Sequence, residues 1–235
     1  MNILIPMAGE GSRFKNAGYI DPKPLIKIKG KSMIELAINS LDLDGNYIFI
    51  IRSDQKSIKE HLKTLKPNCK IIEVNHLTEG ATCTCLLAKK YIDNNQPLVI
   101  ANCDQIMHWN SEKFMNIIEK RQCDGCVVTY YTTTPKNSYV KLDANGFAIQ
   151  IAEKEVISNL SLNGIHYWKK GSDFVRSSEE MIRKNIRVNN EFYVAPTYNE
   201  LIREGKRIIN YHIDARQHNA VGTPEDLKRY ENLQD

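Results

Sequence analysis

The sequence predicts one α/β domain built on a mixed, mostly parallel sheet with helices on both faces. Short apolar runs that are typical of buried strands alternate with amphipathic helical patterns through the first half of the chain. The strand-like runs lie near 2–7, 47–52, 70–75, 97–102 and 125–131, and the helical patterns near 32–42, 55–65, 80–92 and 111–121. Because such alternation is typical of parallel sheets, we expect a Rossmann-like architecture with ligands at the carboxyl ends of the strands.

The regular alternation of strand and helix patterns ends after residue 132. The expected strands lie near 139–142, 147–152, 161–168 and 207–213, and the expected helices near 172–184, near 193–204 and from Thr223 onward. No Pro/Gly/Ser-rich linker separates the two parts, so we expect one domain over 1–235 in which 132–235 covers 1–131.

Composition narrows the classes of function. The net charge of +4 over 235 residues suits an anionic small substrate and does not indicate a partner that is a nucleic acid or a membrane. No apolar run is long enough to span a bilayer, and no basic segment precedes the first strand, so we expect a cytoplasmic protein. The six cysteines are then expected as free thiols, with the C-x-x-C pair Cys123 and Cys126 buried as small apolar side chains.

A glycine-rich loop follows the first strand. Gly9 and Gly11 lack Cβ atoms, which lets backbone N–H groups approach a ligand, and Ser12 and Arg13 add donors suited to phosphate. A dinucleotide-binding fingerprint would have a third glycine where Phe14 stands, and it would open directly into a helix. The next helical pattern begins only near residue 32, and no P-loop motif is present. Further along, two prolines flank a lysine in Pro-Lys-Pro over 22–24 and restrict its backbone.

These features together resemble the sugar-phosphate nucleotidyltransferases, also called nucleotide-sugar pyrophosphorylases. The shared pattern is G-x-G-S-R-F, a short lid and P-K-P-L; residues 5–9, 18–19 and 21–25 resemble the small members from capsule and lipopolysaccharide gene clusters. The resemblance implies a GT-A-like nucleotidyltransferase fold, with 1–131 as the nucleotide-binding half and 132–235 as the acceptor-binding half. It also implies Arg13 and Lys23 as catalytic residues that neutralise phosphate charge.

The resemblance assigns nucleotide contacts to two turns and one strand end. These contacts are Ala8, Gly9, Gly11, Ser12, Glu79, Gly80, Ala81 and Asn102. Small residues at Gly80 and Ala81 would let a flat base lie against the backbone. The alternative is a plain helix start capped by Thr78, and the two interpretations are compatible.

Asp104 is the expected metal ligand. Its position after a buried run fits either a Mg²⁺ ligand or a helix cap, and the resemblance favours Mg²⁺, with Mn²⁺ as the alternative ion. Larger relatives carry a second ligand, an aspartate, where this chain has Ala220. Asp214 is the nearest acid upstream and a weak candidate, but one carboxylate with phosphate oxygens and waters can hold Mg²⁺.

Acceptor contacts are expected in the second half. By resemblance they are Glu153, Lys154, Asn163, Gly164 and Glu191, with the lysine on the acceptor phosphate and a glutamate on a hydroxyl. Without the resemblance, an exposed edge-strand ion pair at 153–154 and a helix-start acid at 191 are equally good interpretations. Two histidines, His166 and His218, are expected to be structural and hydrogen bonded.

The expected reaction transfers NMP from an NTP onto a sugar phosphate or polyol phosphate and releases pyrophosphate. Related capsule-cluster members favour CTP, and the product would be an activated precursor of capsule or lipopolysaccharide. Two alternatives stay open. A metal-dependent glycosyltransferase would normally carry D-x-D, whereas this chain has Asn102-x-Asp104. A non-catalytic nucleotide sensor is suggested by Ala220. An oligomer is also left open.

Overall fold

Strands and helices alternate along the chain as the sequence predicts, in a computed structural model that describes residues 1–233. The strands are β1 Asn2–Pro6, β2 Lys27–Ile28, β3 Lys31–Ser32, β4 Asn46–Arg52, β5 Lys70–Val74, β6 Leu98–Ile100, β7 Gln105–Met107, β8 Gly125–Tyr131, β9 Ser138–Leu142, β10 Ala148–Glu153, β11 Leu160–Trp168, β12 Ile208–His212 and β13 His218–Ala220. The helices are α1 Ser12–Asn16, α2 Met33–Leu41, α3 Lys56–Leu65, α4 Ala81–Leu86, α5 Lys89–Ile92, α6 Ser111–Arg121, α7 Gly171–Arg183, α8 Tyr198–Arg203 and α9 Pro224–Glu231. Short 3₁₀ turns occupy Lys23–Leu25, Ala195–Thr197 and Ala215–Gln217.

A nine-stranded sheet forms the centre of the molecule. Its path runs β10-β9-β11-β6-β1-β4-β5, and β8 joins it beside β11 and carries β12 on its other edge. All of these strands except β10 and β11 point in one direction, because β11 is antiparallel to its three neighbours and β10 is antiparallel to β9. The predicted mixed, mostly parallel sheet is therefore confirmed.

Both faces of the sheet are buried. Along β1, Ile3 and Ile5 point into the core under α2, α3 and α6, while Leu4 points into the core under α4, α5, α7 and α8. A strand buried on both faces reads as a continuous apolar run, which is how β1 appears in the sequence. The prediction of helices on both faces is confirmed by this division.

Three helices begin at the polar residues that local chemistry favours. Ser32, Asn110 and Thr223 each accept a hydrogen bond from a backbone N–H of the first turn, at 3.2, 2.6 and 3.1 Å. The sequence predicts a helix from Thr223 onward, and Pro224 occupies the first helical position after this cap. The helix that follows β7 is capped by Asn110, so Asp104 does not cap that helix.

Three helical predictions need correction. Residues 12–16 form a helix directly after the glycine loop; five residues with Phe14 as the buried one are too short to show a periodic pattern. The predicted helix 80–92 divides at 87–88, where the N–H groups bond three residues back rather than four. The predicted helix 193–204 starts with a 3₁₀ turn because Pro196 has no N–H for the α-helical pattern.

A small two-stranded sheet returns the end of the chain to the carboxyl end of β6. The strands β7 and β13 are antiparallel, with Ala220 opposite Gln105, and the Val221 N–H donates to the Asp104 carbonyl at 2.9 Å. The loop before α9 is therefore held beside Asp104. No helix within residues 1–233 combines the length and the apolar character needed to cross a bilayer.

Candidate active site

A cleft of about 350 Å³ opens at the carboxyl ends of β1 and β6. Parallel strands of α/β sheets present ligand-binding loops at this edge, so the position agrees with the expectation from the sequence. The cleft collects the glycine loop, the Pro-Lys-Pro segment, the residues after β6 and one glycine near the C-terminus. Its lining comprises Pro6, Met7, Gly9, Gly11, Ser12, Arg13, Phe14, Lys23, Pro24, Asn102, Cys103, Asp104 and Gly222.

Gly11 joins the glycine loop to the lysine segment. Its φ of 64° lies in the left-handed region, where glycine is favoured, and its carbonyl accepts from the N–H groups of Phe14 and Lys15 at the start of α1. A Cβ on Gly11 would stand 3.2 Å from the Cβ of Lys23. Any side chain here would therefore push the two cleft segments apart.

Lys23 forms an ion pair inside the cleft. Its Nζ lies 2.5 Å from Oδ2 of Asp104, and each side chain is 22% exposed. Burial lowers the pKa of Lys23, but the charge of Asp104, the neighbouring Cys103 and the hydrogen bond to Asp104 together outweigh burial, so the pKa is raised overall. The lysine is therefore a protonated cation at neutral pH. Arg13 lines the same cleft and is exposed, and its guanidinium makes no hydrogen bond or ion pair with the described part of the chain.

Gly222 belongs to this site, although it was not among the residues predicted from the sequence. A Cβ on Gly222 would stand 2.5 Å from Oδ2 of Asp104 and 3.8 Å from Nζ of Lys23. Only a glycine leaves room for the ion pair. The G-T-P motif over 222–224, two residues after Ala220, is the local signal that could have identified this glycine.

The donors in the cleft fit a hard cation held partly by substrate. Within residues 1–233 no cluster of three or more His, Cys, Asp or Glu side chains could hold a metal ion. Asp104 supplies one carboxylate, which suits Mg²⁺ completed by phosphate oxygens and water. Burial raises the pKa of the adjacent Cys103 thiol to about 11, so it offers no thiolate ligand. Asp214 bonds to Arg216 and caps the 3₁₀ turn Ala215–Gln217.

The expected base-recognition turn packs against residues near 190. The Phe192 N–H donates to the Glu79 carbonyl at 2.8 Å, and the Thr82 N–H donates to the Phe192 carbonyl at 3.0 Å. A Cβ on Gly80 would stand 2.5 Å from the backbone of Phe192, so this contact depends on glycine. The turn lies outside the cleft lining given above, as does Ala8, which packs half-buried on the core.

Thr78 does not cap the helix that follows this turn, so that interpretation was wrong. Gly80 takes the cap position without a side-chain hydrogen bond. The Thr78 hydroxyl instead donates to the Gly80 carbonyl at 3.0 Å and lies 2.6 Å from the hydroxyl of Thr84. These bonds fix the shape of the turn from within.

Predicted nucleotide and acceptor residues meet at β11. Gly164 has a φ of 96°, and a Cβ there would overlap the side-chain amide of Asn102. The neighbouring Asn163 is buried; its carbonyl accepts from Gln105 Nε2, and its Oδ1 accepts from the Ile165 N–H at 3.0 Å. Gly164 therefore allows the strand to approach the residues after β6.

The other expected acceptor residues form a separate cluster. The Glu153 carboxylate accepts from the Ser138 hydroxyl, and the Lys154 ammonium bonds to the Tyr193 hydroxyl. Burial raises the pKa of Glu153, and the negative charge of Glu191 acts in the same direction. The edge-strand pair expected without the resemblance is not formed, since the lysine bonds to a tyrosine. Tyr193 was not among the predicted site residues.

The family is settled by comparison with known proteins. A model of the nucleotidyl transferase family matches residues 3–231. The chain belongs to this family. The family resemblance drawn from the glycine loop and the Pro-Lys-Pro segment is thereby confirmed.

Solved structures and a curated relative agree with this membership. A nucleoside-diphosphate-sugar pyrophosphorylase from Vibrio cholerae is 26% identical, with a TM-score of 0.85 over 98% of this chain and 100% of that one. The inositol-1-phosphate CTP transferase from T. maritima shares the fold at 12% identity, with a TM-score of 0.77 over 98% and 93% of the two chains. The bifunctional protein GlmU of Methanocaldococcus jannaschii is 28% identical over 174 residues, 72% of this chain. The match spans 40% of that relative's length.

Two histidines, of which His166 is buried and His218 half-buried, differ from expectation in this nucleotidyl transferase family member. Within residues 1–233, His166 and His218 each leave Nδ1 without a hydrogen-bond partner. The ring of His166 stacks on Trp168 and Tyr198, and the ring of His218 packs at a tilt against Tyr130. Burial lowers the pKa of each to about 4, so both rings are neutral near pH 7. Neither lines the cleft.

Proposed function

We propose that this protein transfers a nucleotidyl group from an NTP to a phosphorylated sugar or polyol and releases pyrophosphate. The observation that supports this proposal is the composition of the cleft. There the glycine loop, Arg13, Lys23 and Asp104 face one space at the carboxyl ends of β1 and β6. Two cations and a glycine-rich backbone suit a polyphosphate, and a carboxylate among them suits a divalent cation bound together with it.

The reaction requires the protein to position the two substrates and to neutralise the charge of their phosphates. An oxygen of the acceptor phosphate attacks the α-phosphorus of the NTP, the bond from that phosphorus to the bridging oxygen breaks, and pyrophosphate leaves. A phosphate dianion is already a nucleophile at neutral pH, so no side chain has to remove a proton. Arg13 and Lys23 are placed to offset the charge that develops on the α-phosphate and on the leaving pyrophosphate.

Lys23 and Asp104 would act together on the phosphates. Asp104 is the residue that would hold Mg²⁺, or Mn²⁺, whose positive charge assists the departure of pyrophosphate when the ion is bound. The ammonium of Lys23 and the carboxylate of Asp104 form an ion pair at 2.5 Å, so both groups lie at the same place in the cleft. Lys23 would therefore lie within reach of phosphate oxygens that bind beside Asp104. Gly222 leaves the room that both require.

We assign one substrate to each end of the site. We propose that the turn over 79–81 receives the base and that CTP is the nucleotide; the fold shared with an inositol-1-phosphate CTP transferase is compatible with this choice. Glu153, Lys154 and Glu191 would receive the acceptor, with Asn163 and Gly164 near Asn102. A cytoplasmic role in making capsule or lipopolysaccharide precursors fits such an acceptor.

The test measures pyrophosphate release with Mg²⁺ across CTP, UTP, GTP and dTTP, each against a panel of sugar and polyol phosphates. We expect release that requires one NTP and one acceptor class together. The Lys23→Gln protein, purified in parallel, reports any contaminating activity. Tight NTP binding without release from any pair would instead identify a sensor. Transfer from a nucleotide sugar with no pyrophosphate would identify a glycosyltransferase.

A further inference from the structure

A tight hairpin, Val188–Tyr193, connects the two ends of the proposed site, and we call it the strap. Val188 and Glu191 exchange backbone hydrogen bonds of 3.1 and 3.0 Å. Between them, Asn189 and Asn190 have φ values of 47° and 63°. Two consecutive residues with positive φ define the turn type that matches a twisted hairpin, and asparagine tolerates this conformation. The strap therefore has a fixed backbone shape.

One end of the strap is fastened to the turn proposed to receive the base. Phe192 uses both its N–H and its carbonyl on that turn, bonding to Glu79 and Thr82. Its ring is 1% exposed, and the guanidinium of Arg187 lies 3.9 Å from the ring centroid. Arg187 also pairs with the carboxylate of Glu79. Backbone bonds, burial and an ion pair together fix Phe192 against the turn.

The next residue of the strap contacts the acceptor cluster. The Tyr193 hydroxyl bonds to the ammonium of Lys154, which also lies 4.5 Å from the centroid of the tyrosine ring. Lys154 has a φ of 56°, a conformation that a lysine seldom adopts, and its N–H donates to the Asn137 carbonyl at 2.9 Å. The lysine is thus held at its backbone and at its charged end.

The partner of the ammonium is a neutral phenol, although two carboxylates stand nearby. The negative charges of Glu153 and Glu191 both act on Lys154, but within the described residues neither forms an ion pair with it. Glu153 accepts from Ser138 instead. A direct carboxylate partner would neutralise the ammonium, whereas a phenol orients it and leaves its charge for an anion.

We propose that Tyr193 is a positioning residue that holds Lys154 for the phosphate of the acceptor, with the strap fixing the tyrosine relative to the nucleotide turn. The inference rests on the proposed function, in which Lys154 meets that phosphate. Tyr193 itself does not touch the reacting atoms. Its effect is carried by the lysine, so it should vanish when the lysine is absent.

Kinetics of five variants test this dependence. Tyr193→Phe keeps the ring but loses the hydroxyl, and Tyr193→Leu loses both contacts with the ammonium. We expect the KM for the acceptor to rise about 5-fold and about 20-fold respectively, with the KM for the NTP and kcat within about 2-fold of wild type. In a Lys154→Met background, Tyr193→Phe should cause no further rise. Tyr131→Phe, at an exposed tyrosine of β8, is the matched control and should change nothing.

A measurement without turnover tests the pair directly. The hydrogen bond to Tyr193 raises the pKa of Lys154, so in Tyr193→Phe that pKa should fall toward the ordinary lysine value. NMR of the lysine ¹³Cε signals follows this titration, and the Lys154→Met spectrum assigns the signal. An unchanged titration would overturn the inference whatever the activity.

The outcomes separate the inference from the proposed function. An active wild type whose acceptor KM is unaffected by Tyr193→Phe, or equally affected with and without Lys154, would overturn the inference alone. Equal increases in the KM values for NTP and acceptor would also overturn it, because a general structural role would be sufficient. No turnover of any substrate pair by the wild type would overturn both, even with the pair intact by NMR.

Discussion

The phosphate cleft and the acceptor cluster balance charge in opposite ways. In the cleft, defined here by Arg13, Lys23 and Asp104, two cations accompany one carboxylate. In the acceptor cluster, defined by Glu153, Lys154, Glu191 and Tyr193, two carboxylates accompany one cation, and that cation bonds to a phenol. An excess of positive charge suits a polyphosphate. One available cation among acids suits a molecule with a single phosphate and several hydroxyl groups.

The two regions also differ in how tightly their ions are engaged. Lys23 is committed to Asp104 at 2.5 Å, so this lysine must exchange or share its partner when phosphates enter. Lys154 has a neutral partner and needs no such exchange. The cleft therefore depends on charge that is redistributed on binding, whereas the acceptor cluster depends on geometry set in advance. Substitutions should affect turnover most in the cleft and binding most in the cluster.

Replacing Lys23 should have the largest effect. Lys23→Ala removes a fixed cation aimed at the phosphates, and losing one such preorganised donor lowers rates by about 10³-fold. We expect kcat to fall by this factor with the melting temperature nearly unchanged, since the ion pair is partly exposed and stabilises little. Steady-state pyrophosphate release and thermal unfolding measure the two effects.

Lys23→Arg is the control for charge alone. It keeps the cation but replaces a compact ammonium with a broad planar group in a cleft where Lys23 lies against Gly11 and near Gly222. Activity between wild type and Lys23→Ala is expected. Near-wild-type turnover by Lys23→Ala would show that the cleft is not the site of chemistry.

Replacing Asp104 should have the next largest effect and should also change the response to metal. Asp104→Asn keeps the size of the side chain and an oxygen that can accept from Lys23, but removes the charge that a hard cation needs. We expect kcat to fall about 10²-fold and the dependence of the rate on Mg²⁺ concentration to flatten. Calorimetric titration of Mg²⁺ in the presence of NTP provides the second readout. An unchanged Mg²⁺ response would remove Asp104 from the metal site.

Adding one methyl group at Gly222 tests how much space the cleft needs without changing its charge. Gly222→Ala places a Cβ 2.5 Å from Oδ2 of Asp104, while Gly222 has no positive φ and so incurs no backbone strain. We expect about a 10-fold loss of kcat because the carboxylate must move. Gly205→Ala is the converse control, with open space but a φ of 76°; stability should fall by about 1 kcal/mol with turnover unchanged. A fully active Gly222→Ala protein would show that Asp104 moves freely.

The cleft could be predicted closely because its residues lie in local patterns. Continuous apolar runs marked β1 and β6 as buried strands, and Gly11 and Asp104 come soon after these runs in the sequence, which places them at the carboxyl ends. The direct pairing of Lys23 with Asp104 could not be predicted, since it joins residues 81 positions apart. The G-T-P motif marks Gly222 locally, but its position in the cleft could not be predicted, because the pairing of β7 with β13 brings it there and strands of three residues leave no periodic signal.

The acceptor cluster was predicted only as far as the resemblance extended. Glu153, Lys154 and Glu191 came from family motifs, and their proximity is visible only in the structure. The role of Tyr193 could not be predicted, because it depends on a contact with a residue 39 positions away, and no local sequence pattern indicates such a contact. The two asparagines of the strap do carry a local signal, because consecutive asparagines favour a turn, and a turn is formed there.

The smallest expected effect lies in the acceptor cluster and concerns stability against pH. Burial raises the pKa of Glu153 in the folded protein above its unfolded value near 4.5. A carboxyl group with a raised folded pKa contributes stability that is present below the unfolded pKa and is lost as pH rises through the folded pKa. At pH 8 the ionised Glu153 therefore costs stability that Glu153→Gln should recover, since glutamine still accepts from Ser138.

We expect Glu153→Gln to raise the melting temperature by about 2 °C at pH 8 and to give no gain at pH 4. Glu155→Gln, at an exposed position nearby, is the matched control and should shift neither value. Scanning calorimetry across pH measures both variants. A gain for Glu153→Gln that is equal at the two pH values would show that the side chain's charge is not the cause. The stability of the acceptor cluster would then depend on packing and not on the charge of Glu153. The difference between the two regions would in that case lie in their packing contacts, and not in how they balance charge.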